Sequence, residues 1–207
     1  MFTWIFDDLK AYDETIFQHI IPLREEEKSV KKKITIMNPK LEPLVKVELE
    51  KLIHPIRHSY WISNPVIIRK KTGEIRMCVD FRDLNKESLK YNYHLPNMEF
   101  LIQQVMRSSC MSMLDGFSGY NQVLVVEEDR EMTTLTTRWD TYAYARMPFG
   151  LKNEGATFQR VVDHDFDGLI CKFMVDYQDD LKMHSKTRGD HIHHLRKYFY
   201  TCILYVV

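Results

Sequence analysis

Phe173-Met174-Val175-Asp176-Tyr177-Gln178-Asp179-Asp180-Leu181 carries an apolar run into two adjacent carboxylates and returns at once to an apolar residue. Acids beside a buried strand are costly unless a cation holds them. A short strand, a tight turn and a return strand put Asp179 and Asp180 at a hairpin tip, one side chain toward each face, where a third carboxylate completes a two-metal site. Asp115 is the candidate third member. It ends the apolar segment Met111-Ser112-Met113-Leu114 and precedes Gly116, which lets the backbone turn sharply. Carboxylates converging on metal ions point to metal-dependent phosphoryl transfer. A lone Asp-Asp pair is by itself a solvated turn, and that is the expectation for Asp7-Asp8.

Working outward, apolar residues at helical spacing predict a first amphipathic helix from about Pro39 to His54, and Met98, Leu101, Ile102, Val105 and Met106 a second. Val66-Ile67-Ile68, a turn through Lys71-Thr72-Gly73-Glu74, and Ile75 to Val79 read as a β-hairpin. Further strands are expected over Gln122 to Val126, Met132 to Thr137 and Thr141 to Arg146. A helix after Asn153, with Asn153 as its cap, carries Phe158, Val161, Val162 and Phe166 on one face. A final helix starts near Asp190, and His191, His193 and His194 spread around it, which implies a solvent-facing helix rather than a metal site. Alternation makes Tyr142 and Tyr144 core residues rather than a base-stacking platform.

A chain of 207 residues that is 44% hydrophobic and 12% aromatic can bury one or two cores. No apolar run reaches the roughly 18 residues of a membrane span, and Met1-Phe2-Thr3-Trp4 lacks the pattern of a signal peptide. The expectation is therefore an intracellular protein, in a cytoplasmic particle or the nucleus, and not a secreted one. Cys78, Cys110, Cys171 and Cys202 form no Cys-x-x-Cys pair, so reduced, packed thiols are expected. The formal net charge is zero, yet its distribution is uneven. Arg57, Arg69, Lys70, Lys71, Arg76, Arg82, Lys86 and Lys90 outnumber the acids among them, whereas Asp163 to Asp180 holds six acids against Lys172. One stretch suits phosphates, the other cations.

Six motifs in fixed order carry a resemblance: Ser63-Asn64-Pro65-Val66; Arg76-Met77-Cys78-Val79-Asp80-Phe81-Arg82-Asp83-Leu84-Asn85-Lys86; Leu114-Asp115 with Ser118-Gly119-Tyr120-Asn121-Gln122; Met147-Pro148-Phe149-Gly150-Leu151; Ala156-Thr157-Phe158-Gln159-Arg160; and Tyr177-Gln178-Asp179-Asp180. Together they resemble the reverse transcriptase of gypsy-type long-terminal-repeat retrotransposons, over nearly the whole chain. The resemblance implies an α+β fold, a right-hand polymerase with fingers and an antiparallel palm sheet backed by helices. Residues 1–23 look like the connector before the polymerase, 24–110 like the fingers region, and 111–207 like an incomplete palm. The primer grip, thumb, connection and RNase H regions of the family are expected beyond Val207.

The resemblance also implies roles. Asp115, Asp179 and Asp180 would bind two Mg²⁺ ions, or Mn²⁺, with the Gly116 carbonyl as an added ligand. Arg76 and Lys70 would hold the triphosphate, projecting from the fingers hairpin toward the acids, and Ser118 and Gly119 would add backbone amides. Tyr120 resembles the aromatic residue that excludes a 2′-hydroxyl, and Phe149 lines the pocket near the 3′-hydroxyl. The implied partners are a primed RNA or DNA template, deoxynucleotides, and the RNase H and integrase of a parent polyprotein.

Several residues depart from the family pattern. Asn153-Glu154-Gly155-Ala156 stands where the family has Asn-Ala-Pro-Ala, which should loosen the helix. Asp140 replaces a turn glycine, Lys182 and His184 put polar groups in a normally apolar strand, and Asp176 adds a carboxylate near the metals. Two classes of function therefore stand open: an RNA-directed DNA polymerase domain, and a non-catalytic remnant with residual nucleic-acid or metal binding.

Overall fold

The computed structural model describes residues 10–25, 28–33, 45–46, 53–69, 75–115, 119–177 and 180–205, without the side chains of Ile53, Arg76, Asp115, Leu204 and Tyr205. The described chain divides into two compact units, each assembled from separated segments. One joins 1–12, 91–119 and 155–207; the other joins 13–90 and 120–154. Each unit gathers strands that are far apart along the chain.

Among the described residues there are ten strands: β1 (Gln18–His19), β2 (Ile53–Pro55), β3 (Pro65–Arg69), β4 (Ile75–Val79), β5 (Cys110–Asp115), β6 (Leu124–Val125), β7 (Leu135–Thr136), β8 (Thr141–Tyr144), β9 (Met174–Tyr177) and β10 (Asp180–Ser185). The α-helices with described bounds are α1 (Arg82–Glu87), α2 (Met98–Val105), α3 (Glu154–Asp165) and α4 (Arg188–Tyr205).

In the 13–90/120–154 unit, β3 and β4 form the expected antiparallel hairpin, with Ile67 opposite Met77. The predicted first helix lies mostly outside the described residues. Val45 and Lys46 are helical, but Ile53 and His54 are paired in β2 against β8, so the helix ends earlier than its apolar spacing implies. Gln122 and Met132 also differ from expectation, lying in 3₁₀ segments (Gly119–Gln122 and Glu127–Thr133) that leave only short strands between them. The Thr133 hydroxyl explains the second segment: it donates to the Arg130 carbonyl and accepts from the Tyr144 amide, satisfying backbone groups that a ladder would otherwise take.

The other unit is built on the antiparallel sheet β5–β10–β9, with β10 in the centre. Alternation sends Leu181, Met183 and Ser185 to one face, and α4 packs against β10 and β5 there. Met174, Met183 and Val161 are fully buried in this core, and burial of each such side chain stabilises by about 1.5–3 kcal/mol. The ring of Phe166 stacks on Tyr198 of α4 at 5.2 Å. α2 begins where Asn97 accepts the Glu99 amide in its side chain, and it runs along β9. No helix among the described residues is long and apolar enough to cross a membrane.

Candidate active site

The register of β5 against β10 sets the geometry. Asp180 is the Cα partner of Asp115, Leu181 of Leu114 and Lys182 of Met113, while on the other side Asp180 faces Tyr177. Directly opposite residues of an antiparallel pair share a sheet face with Cβ atoms about 4.5–5.5 Å apart. Two aspartate positions at one end of one sheet are thus neighbours. Asp180 is exposed. Asp179, Gly116 and Ser118 lie outside the described residues, as does Lys70, and so do the side chains of Asp115 and Arg76. Among the described residues, which do not include Asp179 or the Asp115 carboxylate, there is no group of three metal-ligating side chains. The donor type fits Mg²⁺ or Mn²⁺: carboxylate oxygens are the hard ligands these ions take, and the register pairs two aspartate positions across the strands.

Asp176 belongs to the opposite face. Its carboxylate is buried and accepts a hydrogen bond from the Gln159 side chain of α3, while its other oxygen has no partner among the described residues. Burial pushes its pKa up to about 6, against the pull of the Gln159 bond. Gln159 also donates to Asp163 at 3.0 Å, and Asp163 accepts the Tyr93 hydroxyl at 2.5 Å. Burial, followed by that bond, pushes Tyr93 up to about 12. The network fastens α3 to the strand that leads into the acidic turn. Its only sequence signal was a carboxylate inside an apolar strand.

The histidines correct an expectation. His191 is buried, not solvent-facing, and its ring bridges Ser112 of β5 at 2.8 Å and Ser185 of β10 at 3.0 Å. His194 bonds Ser185 at 2.7 Å and stacks on Phe173 at 4.0 Å. Helical spacing could not reveal this, because the partner serines come from strands elsewhere in the chain. Cys171 is likewise exposed rather than packed.

In the other unit, Tyr120 is buried and its ring meets Phe149 edge-on at 5.2 Å, inclined 63°. Gly150 has φ +99°, a left-handed backbone that favours glycine. Its carbonyl accepts from Asn85 of α1 at 2.7 Å, and Lys152 returns bonds to Asn85 and Ser88. The Met147-to-Leu151 motif is thereby tied to the Arg82–Glu87 helix. Arg82 and Lys86 are committed to Asp80 and Asp83, which Lys32 also bridges, so part of the basic stretch is neutralised internally. α3 starts at Glu154 despite Gly155 in its first turn, and the Glu154 carboxylate accepts from the Gly150 and Leu151 amides. The Asn153 side chain donates to the Leu89 carbonyl.

Gly119 shows why no side chain is tolerated ahead of Tyr120: a Cβ there would stand 2.5 Å from Cζ of Phe158 in α3.

A family model described as reverse transcriptase (RNA-dependent DNA polymerase) matches residues 68–205, more than half of the chain. The chain belongs to the reverse transcriptase family. Similar proteins include the retrovirus-related Pol polyprotein from transposon gypsy of Drosophila melanogaster, 31% identical over 149 residues, which are 70% of this chain and 14% of that protein. An RNA-directed DNA polymerase homolog of Oenothera berteroana is 35% identical over 125 residues, 59% of this chain and 88% of that protein. The foamy viral protease-reverse transcriptase in complex with an RNA/DNA hybrid superposes with a TM-score of 0.83 at 17% identity, covering 97% of this chain and 27% of that one. The crystal structure of the prototype foamy virus enzyme gives a TM-score of 0.82 at 20% identity over the same shares. The fold is therefore α+β, of the polymerase fingers-and-palm kind. The reverse transcriptase chain spans about a seventh of the gypsy polyprotein it matches. Reverse transcriptases use divalent metal ions.

Proposed function

We propose that this chain supplies the nucleotidyl-transfer centre of an RNA-directed DNA polymerase, with 24–110 as fingers and 111–207 as part of the palm. The observation that carries the proposal is the Asp115–Asp180 register at the end of β5 and β10. Asp115, Asp179 and Asp180 hold two Mg²⁺ ions, for which Mn²⁺ can substitute, and the Gly116 carbonyl is a further ligand. Bound there, the metal supplies Lewis-acid activation of a primer 3′-hydroxyl and neutralises charge on the leaving pyrophosphate.

The protein's own residues bind and orient. Arg76 and Lys70 offset triphosphate charge, and the backbone amides of Ser118 and Gly119 donate to phosphate oxygens. Tyr120 excludes a 2′-hydroxyl by contact, held by Phe149 against its edge. Phe149 lines the pocket near the 3′-hydroxyl. The substrates are deoxynucleotides and a primed RNA or DNA template, as the RNA/DNA hybrid in the foamy viral complex supports. RNase H and integrase regions are the partners in a parent polyprotein.

Template-primed extension tests the proposal, using the chain alone and the chain joined to the downstream polymerase segments of a gypsy-type relative. Weak extension by the chain and clear extension by the fusion are expected, because positioning the primer end supplies much of the rate. Asp179→Asn should lower fusion activity by about three orders of magnitude through loss of a metal ligand. Extension that survives Asp179→Asn overturns the assignment.

A further inference from the structure

The face of β5–β10–β9 that carries the Asp115–Asp180 pair is an apolar groove. Met111 and Met113 of β5 and Val175 of β9 form its floor, Leu101 and Val105 of α2 form a wall, and the cavity measures about 230 Å³. One basic side chain stands in it, Lys182, the single lysine or arginine among the described residues that line it. Lys182 lies opposite Met113 and Val175 in the two ladders. Asp180 is two positions along the same strand, on the same face at about 6.8 Å. Asp115, opposite Asp180, is the diagonal neighbour at about 7–8 Å, a span within reach of a long side chain. Among the described side chains no carboxylate forms an ion pair with Lys182.

We infer that Lys182 is a built-in counter-ion of the Asp115–Asp180 pair, competing with divalent cations and so setting the metal affinity of the centre. The inference rests on the two-metal reading above. Without metal, two adjacent carboxylates repel each other and the ammonium relieves that repulsion. A divalent ion then binds against a nearby positive charge, and removing that charge tightens binding by about three- to tenfold, depending on distance, local dielectric and salt. Lys182 is a positioning and tuning residue that acts through the carboxylates.

Mn²⁺ titration of the full chain, followed by the electron paramagnetic resonance of free Mn²⁺ at low ionic strength, tests this without reference to turnover. Lys182→Met and Lys182→Gln should both bind Mn²⁺ about three- to tenfold more tightly than the parent, and Lys182→Arg should match the parent. The Gln variant separates charge from packing, and circular dichroism confirms that each variant is folded. The difference should shrink as salt is raised. Unchanged or weaker binding in both neutral variants, with Asp180→Asn still impairing it, overturns the role of Lys182 and leaves the metal centre standing. Binding that is indifferent to Asp180→Asn, or absent from every protein, removes both.

Discussion

The β5–β10–β9 sheet and the β3–β4 hairpin are both short antiparallel arrangements, yet they treat their side chains in opposite ways. In β9 the run Met174-Val175-Asp176 is buried throughout, whereas Val66 and Ile68 of β3 remain 44% and 50% exposed. Carboxylates follow the same division. Asp176 is sealed against Gln159 without a cation and its pKa rises, while Asp80 lies beside Arg82 and Lys32 and its pKa falls well below the usual carboxylate range. Lys86, then Lys32, lowers Asp83 likewise. Environment, not residue type, decides the sign: desolvation opposes charge at Asp176, and paired cations favour it at Asp80 and Asp83.

The largest effect expected from this contrast is in packing. Met183→Ala, at a fully buried position in the central strand, should cost about 2–5 kcal/mol, while Val66→Ala on the hairpin should stay within about 0.5 kcal/mol. Denaturant unfolding measures both, and equal losses would erase the distinction.

Next comes the buried acid. Because Asp176 is raised in the folded state to about 6, its favourable contribution is complete below the ordinary carboxylate range and is lost as pH rises through about 6. Asp176→Asn keeps an oxygen for Gln159 and removes the buried charge. It should stabilise by about 1–3 kcal/mol at pH near 8 and by nothing near pH 4. A gain independent of pH would show that shape rather than ionisation matters there.

The smallest effect belongs to the paired acid. Asp80 is lowered in the folded state, so its contribution is present above the ordinary carboxylate value and disappears as pH falls through the lowered one. Asp80→Asn should cost no more than about 1 kcal/mol near neutrality, and high salt should shrink that cost. A salt-insensitive loss would mean that Asp80 is held by more than its ion pairs.

Local chemistry made much of this molecule legible. The β3–β4 pairing follows from its apolar runs, α2 from apolar spacing, and the ends of β5 and β10 from acids abutting apolar segments. His191 resisted reading, since its burial depends on serines of β5 and β10. The segment 122–137 resisted too, because Thr133 takes up backbone groups that strand propensity alone assigns to a ladder.

The sequence by itself determined the β3–β4 strands, α2, and the acids that end the apolar runs of β5 and precede β10, because period and turn preference act over a few neighbouring positions. Only the tertiary structure decided that Asp115 faces Asp180, that Asp176 is sealed without a cation, and that Lys182 shares a face with the acidic pair. Those facts depend on the register between strands distant along the chain. A shift of one residue would send every side chain to the other face, and what excludes it is the joint burial of one whole face rather than any local signal.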